Sequence, residues 1–251
     1  MTNSVDVFDW MNDDELNEFI STGDPADAYP HEYKEQPENQ GKLVWLSGAP
    51  GLGKSTSGLL LGEKAGYVYY EADAFMNHMN PYVSLDAAEP SLAMMSQKFL
   101  KGVPQDRIDV VADAMTNMAD MCEGRDYNHE KAAKFFIFMC KDIAREQKRI
   151  GGDFAIAHAV PTREFRDHIK DQLGEKIFFA VLHMNKEDQF ARLKARHGEE
   201  FEASEMMSKM YDLYEPAADD EHNAIHVLIT KEMTREDVVE KIIRFLNDHC
   251  K

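Results

Sequence analysis

Cysteine is scarce in this sequence. Its three copies, Cys122, Cys140 and Cys250, are far apart and form no C-x-x-C pair. This spacing argues against a disulfide framework, because such frameworks depend on closely spaced cysteines in short secreted chains. The simplest interpretation is a reducing environment, and we expect a cytoplasmic protein.

Long apolar runs are absent as well. The longest ones, such as Leu59–Leu61 and Ile177–Leu182, fall far short of the roughly 20 residues that a membrane-spanning helix needs. The first residues, Met1–Trp10, have neither a basic start nor an apolar stretch. We therefore expect no secretory signal and no membrane partner.

Positive charge is in short supply. Lysine and arginine total 28 against 46 aspartate and glutamate residues, and the formal net charge is −18. The phosphate backbone of nucleic acids and anionic membranes repel such a protein, so we expect neither as its main partner. Net charge does not argue against a bound phosphate ligand, because a phosphate site is a local arrangement of backbone N–H groups and a few cations.

The apolar residues are sufficient for one folded domain. They make up 43% of the 251 residues, which suits an α/β domain of ordinary size. We interpret residues 1–41 as an acidic N-terminal extension that ends in a polar, proline-containing linker. We expect residues 42–251 to form the main domain, with a helical insertion at about residues 74–150.

Short apolar segments predict five β-strands, and amphipathic segments between them predict helices. The predicted strands are Leu43–Leu46, Tyr67–Glu71, Phe154–Ala157, Lys176–His183 and Ala224–Ile229. The predicted helices, besides a largely helical region from about 91 to 149, are Ser57–Ala65, Arg163–Leu173, Lys186–Arg196, Ala203–Tyr214 and Arg235–Asn247. Alternating strands and helices predict a parallel sheet that is covered on both faces.

The segment after the first strand carries the clearest motif. Gly48–Ser55 matches G-x-x-x-x-G-K-[ST] at every fixed position, between a predicted strand and a predicted helix. Glycines let the backbone curl so that N–H groups point at phosphate oxygens, and the helix N-terminus adds partial positive charge. The motif therefore predicts a P-loop that binds ATP with Mg²⁺. Its candidate nucleotide-binding residues are Gly48, Gly51, Gly53, Lys54, Ser55 and Thr56, with Lys54 on the β- and γ-phosphates and Ser55 on Mg²⁺.

Two carboxylates follow the second predicted strand, which we expect to lie next to the P-loop strand. Glu71 and Asp73 are two residues apart, so both can point at one site. Ligands in open α/β sheets bind at this carboxyl end of the strands. Glu71 is a candidate Mg²⁺ ligand, and Asp73 is the candidate base that accepts a proton from an attacking hydroxyl. The alternative is a pair of solvated loop acids.

Arginines stand out in so acidic a chain. Arg192 and Arg196 are four apart on one predicted helix face and are candidates for stabilising the transferred phosphoryl group, with a short lid at Glu199–Phe201. Arg163 and Arg166 follow the third strand and are candidate substrate contacts. For both pairs the alternative is a solvated helix face.

Two histidines are further candidate substrate contacts. His78 lies just past the acidic pair, and His158 ends the third predicted strand. A structural role for His158 is equally open. The ten histidines show no metal-site spacing.

With these motifs in hand, the chain resembles the gluconate kinases, within the group that includes shikimate kinase. The resemblance runs from about Leu43 to Leu246. Lys101–Pro104 is similar to the family's K-G-I-P motif, and Arg192–Gly198 is similar to its lid segment R-L-x-x-R-x-G. Glu205–Met207 and Tyr214–Pro216 are similar to its M-L…E-P segment, and Val227–Ile229 is similar to its last strand. The resemblance implies that Asp73 is the second acid of D-G-D, that Arg166 is the arginine of Y-R-D, and that Arg192 and Arg196 are lid arginines.

The sequence departs from this family where the family binds its acceptor. Met76 stands in place of a histidine, Thr162 in place of a lysine, and Glu199–Phe201 in place of G-H-F. Losing cations and gaining acids favours a neutral or cationic hydroxyl compound over gluconate.

Together these features predict a three-layer P-loop NTPase fold of the α/β class, with a five-stranded parallel sheet, a helical insertion on the substrate side and a lid. The predicted activity is ATP-dependent phosphoryl transfer to a hydroxyl of a small molecule. Two alternatives stay open: a kinase for a nucleotide or nucleotide sugar, and a non-catalytic ATP sensor. A homodimer stays open too.

Overall fold

The computed structural model of the protein describes residues 40–73, 105–122, 125–198 and 205–249. Within these ranges the strands are β1 (Gln40–Ser47), β2 (Val68–Glu71), β3 (Gly152–Ala157), β4 (Ile177–His183) and β5 (Ala224–Leu228). Several predictions fall on residues that lie outside the described ranges: the N-terminal extension up to residue 39, Met76, His78, Lys101–Pro104 and Glu199–Phe201.

The helices of the described ranges follow the strands along the chain. They are α1 (Lys54–Ala65), α2 (Gln105–Cys122), α3 (His129–Ile150), α4 (Arg163–Leu173), α5 (Lys186–His197), α6 (Glu205–Leu213) and α7 (Arg235–His249). Helix α1 begins three residues earlier than its apolar pattern predicts, because Gly53 takes a left-handed conformation and starts the helix directly at Lys54.

The five strands form one parallel sheet in the order β2-β3-β1-β4-β5. This arrangement confirms the predicted α/β class and the parallel sheet. The prediction that β2 lies next to the P-loop strand β1 is wrong, because β3 lies between them. Along the chain, β2 follows β1 but is not its neighbour in the sheet. The strand between them is β3, which comes later in the chain, after α2 and α3. The last residue of β3, Ala157, thus pairs with both Leu46 and Glu71.

Both faces of the sheet are buried. Successive side chains of a strand point to opposite sides, so alternate residues pack into two different apolar clusters. In β1, Leu43 and Trp45 belong to a first apolar cluster, which includes residues of α2, α3 and α4. Val44 and Leu46 belong to a second apolar cluster, which includes residues of α1 and α7. Two apolar layers of this kind hold the carboxyl edge of the sheet in place, and the predicted site residues lie at that edge.

Helices α2 and α3 fall inside the region for which we predict a helical insertion. Helix α3 begins after Asn128, whose side chain accepts a hydrogen bond from the Lys131 backbone N–H. Its buried face carries Phe135 and Phe136 against the end of β3. In the described ranges, none of the helices combines the length and the apolar character that crossing a bilayer requires.

Candidate active site

The loop between β1 and α1 has the backbone curl that its glycines predict. Gly51 and Gly53 have φ values of 83° and 87°, in the left-handed region that favours glycine. A Cβ atom at Gly51 would lie 2.7 Å from the Leu193 side chain. Gly53 offers no capping side chain to the first turn of α1, so the N–H groups of that turn are open to an anion.

Lys54 points back into this loop. Its ammonium group donates hydrogen bonds to the carbonyl oxygens of Gly48 at 2.8 Å and Ala49 at 3.3 Å. Burial lowers the pKa of Lys54, and the negative charges of Asp73 and Glu71 oppose that shift. The lysine thus sits between the loop and the two acids that the sequence singles out.

Glu71 ends β2 and is almost completely buried, with 1% of its surface exposed. The Tyr69 hydroxyl donates a hydrogen bond to its carboxylate, and the neighbouring Ser55 side chain lowers the pKa of this carboxyl group. Burial raises the pKa of Glu71, and the charge of Asp73 raises it further. The structure therefore brings together the hydroxyl and the carboxylate that we predict as Mg²⁺ ligands.

Asp73 is held by His158 across the sheet edge. The Nδ1 atom of His158 lies 2.5 Å from Oδ1 of Asp73, and the histidine ring is enclosed by Phe135 and Phe136 at centroid distances of 5.7 Å and 5.9 Å. Partial burial raises the pKa of Asp73, but the hydrogen bond and charge of His158 and the charge of Lys54 lower it overall. The carboxylate is therefore ionised near neutral pH and faces the P-loop lysine.

The loop after His158 is fastened to the P-loop strand. The Trp45 indole N–H donates to the His158 carbonyl at 3.2 Å. The Ser47 hydroxyl donates to the Val160 carbonyl at 2.7 Å and accepts from the Val160 backbone N–H at 3.0 Å. These bonds are buried, so they set the position of His158, and through it Asp73, relative to the start of the P-loop.

Helix α5 braces the other side of the P-loop. The Gln189 side chain is buried and donates to the Pro50 carbonyl at 2.7 Å, and Leu193 packs against Gly51. Arg192 is exposed on the same helix. The backbone of Arg196 also belongs to this helix. A contact of these two arginines with a transferred phosphoryl group stays a prediction.

Arg163 and Arg166 are not part of the cluster around Lys54 and Asp73. Arg163 donates to both carboxylate oxygens of Asp220, at 2.8 Å and 3.0 Å. Arg166 is 1% exposed and forms a bidentate pair with Glu221, with both bonds at 2.8 Å. It also donates to two backbone carbonyls of the segment that follows α6. The structure thus uses both arginines to hold a neighbouring segment, and substrate contact by either stays a prediction.

The Arg166–Glu221 pair makes a prediction about stability. Arg166→Met should lower the free energy of unfolding by about 3–5 kcal/mol, because it leaves the Glu221 carboxylate buried without its partner. Removing both charges in Arg166→Met/Glu221→Leu should restore much of that loss, since apolar residues can replace a buried ion pair. Urea unfolding followed by circular dichroism measures both values. Equal stability of the single variant and the unaltered protein would contradict the structural role.

Sequence reasoning missed two residues that the structure places in the site. Tyr69 lies two residues before the end of β2 and is typical of a strand aromatic, and Gln189 is typical of a polar helix residue. A weak signal exists for Tyr69, since it lies two residues before Glu71 and therefore shares its side of the chain. The sequence carries no signal for the bond between Gln189 and Pro50, which are 139 positions apart.

No protein-family model and no curated protein sequence matches the chain. Solved structures do match it. The structure of a gluconokinase from Sinorhizobium meliloti 1021 aligns with a TM-score of 0.55 at 16% identity, over 84% of this chain and 94% of that one. A sugar kinase from Janibacter sp. HTCC2649 aligns with a TM-score of 0.55 at 19% identity, over 82% of this chain and 95% of the other. The chain has the fold of the P-loop small-molecule kinases.

This P-loop kinase fold explains why the site lies where it does. The carboxyl ends of β1, β2 and β3 meet at one edge of the sheet, and ligands of open α/β sheets bind at that edge. Lys54, Glu71, Asp73 and His158 all follow or end these strands. The resemblance to the gluconate kinases that the sequence indicates is thereby confirmed at the level of the fold.

Proposed function

We propose that the protein transfers the γ-phosphoryl group of ATP to a hydroxyl of a small metabolite. One observation carries the proposal: Asp73, whose carboxylate lies 2.5 Å from Nδ1 of His158, shares the end of the P-loop with Lys54, and the charges of Asp73 and Lys54 act on each other's pKa. A carboxylate in that position can accept a proton from a hydroxyl that attacks a phosphate bound to the loop.

The proposed reaction moves one phosphoryl group and one proton. The acceptor oxygen forms a bond to the γ-phosphorus while the bond from that phosphorus to the bridging oxygen of ADP breaks, and the hydroxyl proton passes to Asp73. Lys54 and the open N–H groups of the first turn of α1 stabilise the charge on the phosphoryl oxygens. Arg192 and Arg196 are proposed to add to this stabilisation.

The donor set fits ATP and Mg²⁺. The curled loop and the open helix N-terminus suit polyphosphate, and Mg²⁺ in such sites takes one or two protein oxygens besides phosphates and water. The Ser55 hydroxyl and the Glu71 carboxylate are the residues that would hold it. When bound, the metal ion neutralises negative charge on the phosphates.

The acceptor is proposed to differ from gluconate. On the acceptor side, Thr162 stands where the gluconate kinase pattern has a lysine, and the nearby Arg163 and Arg166 are paired with Asp220 and Glu221. Glu71 and Asp73 add negative charge to the same edge. A neutral or cationic hydroxyl compound meets less electrostatic repulsion there than a carboxylate does.

The test of the proposal is ADP release from Mg·ATP across a panel of gluconate, shikimate, neutral sugars, amino alcohols and nucleosides. Acceptor-dependent ADP release supports phosphoryl transfer and identifies the acceptor class, and a preference for nucleosides would favour a nucleotide-type kinase. Tight ATP binding without ADP release for any acceptor would instead favour an ATP sensor.

Removing His158 should change how activity depends on pH. The His158 hydrogen bond and charge lower the pKa of Asp73, and the base must be ionised, so activity falls as pH drops through that pKa. His158→Phe removes the bond, the pKa of Asp73 rises, and the acidic limb of the kcat/KM profile moves to higher pH.

The control for this pH profile is His168→Gln, at a partly exposed position of α4. This variant should keep the profile of the unaltered protein. An unchanged acidic limb in His158→Phe would show that Asp73 does not depend on His158 for its ionisation.

A further inference from the structure

A tyrosine close to the proposed site has a hydroxyl group that lacks a partner. Tyr214 follows α6, its backbone N–H donates to the Tyr211 carbonyl at 3.1 Å, and its ring packs against the second apolar cluster. The hydroxyl oxygen is buried, and it makes no hydrogen bond to the part of the chain that the structure describes. Buried polar groups without a partner are rare in native proteins and call for an explanation such as a ligand.

The segment that carries Tyr214 is attached to the loop behind the Asp73–His158 pair. The backbone N–H of Glu215 donates to the Pro161 carbonyl at 2.8 Å. Pro161 lies three residues after His158, whose ring nitrogen is 2.5 Å from Asp73. These bonds place Tyr214 at the same edge of the sheet as the proposed base.

The bonds of Arg166 show what the two paired arginines do for this segment. Arg166 donates to the carbonyls of Glu215 at 3.2 Å and Pro216 at 3.4 Å. The backbone N–H of Arg163 donates a hydrogen bond to the Glu215 carboxylate at 2.7 Å. The start of α4 therefore holds the residues directly after Tyr214, and the phenol has a defined position.

Electrostatics agree with this placement. Burial raises the pKa of Tyr214 well above its ordinary value, and the charges of Asp73 and Tyr127 raise it further. The phenol therefore keeps its proton at physiological pH and can act as a hydrogen-bond donor. The charge of Asp73 acts on this phenol, which agrees with the position of both groups at one edge of the sheet.

The geometry points to Tyr214 as a specificity-determining residue whose hydroxyl donates a hydrogen bond to a second oxygen of the acceptor, while Asp73 receives the proton of the first. This inference rests on the proposed phosphoryl transfer and deepens it. The acceptor class is an uncharged compound with several hydroxyl groups. The Tyr214 hydroxyl and the Asp73 carboxylate can both form hydrogen bonds with neutral hydroxyl groups, whereas the Asp73 carboxylate repels an acidic group.

Matched pairs of compounds test the acceptor class on the full chain. Each pair consists of an uncharged polyol and the acid in which one end is a carboxylate: glycerol and glycerate, xylitol and xylonate, sorbitol and gluconate. Binding is measured by calorimetry with the non-hydrolysable analogue AMPPNP and Mg²⁺ present, and turnover is measured separately as ADP release from Mg·ATP. The uncharged member of at least one pair should bind more tightly and react faster.

Two tyrosine variants test the role of the hydroxyl. Tyr214→Phe removes the hydroxyl that lacks a partner, whereas Tyr211→Phe removes one that donates to the Met184 carbonyl at 3.0 Å. Tyr214→Phe should raise the acceptor KM and Kd by about tenfold or more, with the ATP affinity unchanged and the melting temperature unchanged or higher. Tyr211→Phe should lower the melting temperature and leave the acceptor KM unchanged.

The outcomes separate this inference from the proposed function. Three outcomes would overturn the role of Tyr214. The first is acceptor binding that does not change in Tyr214→Phe, and the second is a drop in the melting temperature of that variant. The third is a preference for the carboxylate member of each pair. ADP release that does not depend on Tyr214 would overturn this role and keep phosphoryl transfer. Binding that depends on Tyr214 without ADP release would keep the subsite and overturn phosphoryl transfer. Binding of none of the six compounds would overturn the acceptor class.

Discussion

Lys54→Ala is expected to reduce ATP turnover by about 10²–10³-fold or more, because it removes the positive charge that we propose stabilises the transferred phosphoryl group. The ammonium group lies inside the loop, bonded to the Gly48 and Ala49 carbonyls at 2.8 Å and 3.3 Å. No other side chain in the described ranges takes this position in the loop. Steady-state ADP release with a reactive acceptor measures the effect.

The Lys54→Ala variant should stay folded. The two carbonyls that lose a donor belong to the buried residues Gly48 and Ala49, but their bonds to Lys54 are only partly buried, so water can replace the ammonium group. Lys64→Ala, an exposed position on the same helix α1, is the matched control and should keep full turnover. Turnover in Lys54→Ala equal to that of this control would contradict the assignment of the loop as the ATP site.

Asp73→Asn is expected to lower kcat by about 10²–10⁴-fold, the usual contribution of a positioned general base. Asparagine keeps the size of the side chain and a carbonyl oxygen that can accept from His158, but it cannot take up the proton of the acceptor hydroxyl. Affinity for ATP should change little, because the loop and Lys54 are untouched. Acceptor-dependent ADP release and calorimetric ATP binding together measure the two quantities.

Two further variants separate the role of Asp73 from general charge effects. Asp171→Asn removes an exposed carboxylate on α4 and should leave kcat unchanged. Glu71→Gln alters the proposed Mg²⁺ ligand, and higher Mg²⁺ concentration should partly restore its activity, whereas it should not restore Asp73→Asn. Full acceptor-dependent turnover in Asp73→Asn would show that another group accepts the proton.

Lys54→Ala and Asp73→Asn together distinguish an enzyme from an ATP sensor. A sensor would bind ATP through Lys54 and would show no acceptor-dependent ADP release for Asp73→Asn to abolish. In the proposed kinase, Lys54→Ala and Asp73→Asn both abolish the acceptor-dependent signal, but only the first weakens nucleotide binding. The structure favours the kinase, because the buried ring of His158 holds the partly exposed carboxylate of Asp73, an arrangement that nucleotide binding by itself does not require.

The features that sequence reasoning predicted correctly depend on contacts between near neighbours in the chain. Gly48–Ser55 specifies its own loop, since the left-handed conformation of glycines is a local property. Apolar runs such as Leu43–Leu46 and Ile177–Leu182 specify buried strands, and the alternation with helices specifies a parallel sheet. Glu71 and Asp73 are two residues apart, so their meeting beside one site also follows from the local chain.

The features that it could not predict depend on partners far apart in the chain. Arg166 is bonded to Glu221, 55 positions away, and His158 to Asp73, 85 positions away. The place of β3 between β1 and β2 depends on how α2 and α3 pack. Residue spacing carries no information about such pairs, because packing of whole layers brings them together. The phosphate loop can therefore be recognised from the sequence, whereas the role of each arginine and the unpartnered hydroxyl of Tyr214 are properties of the folded chain.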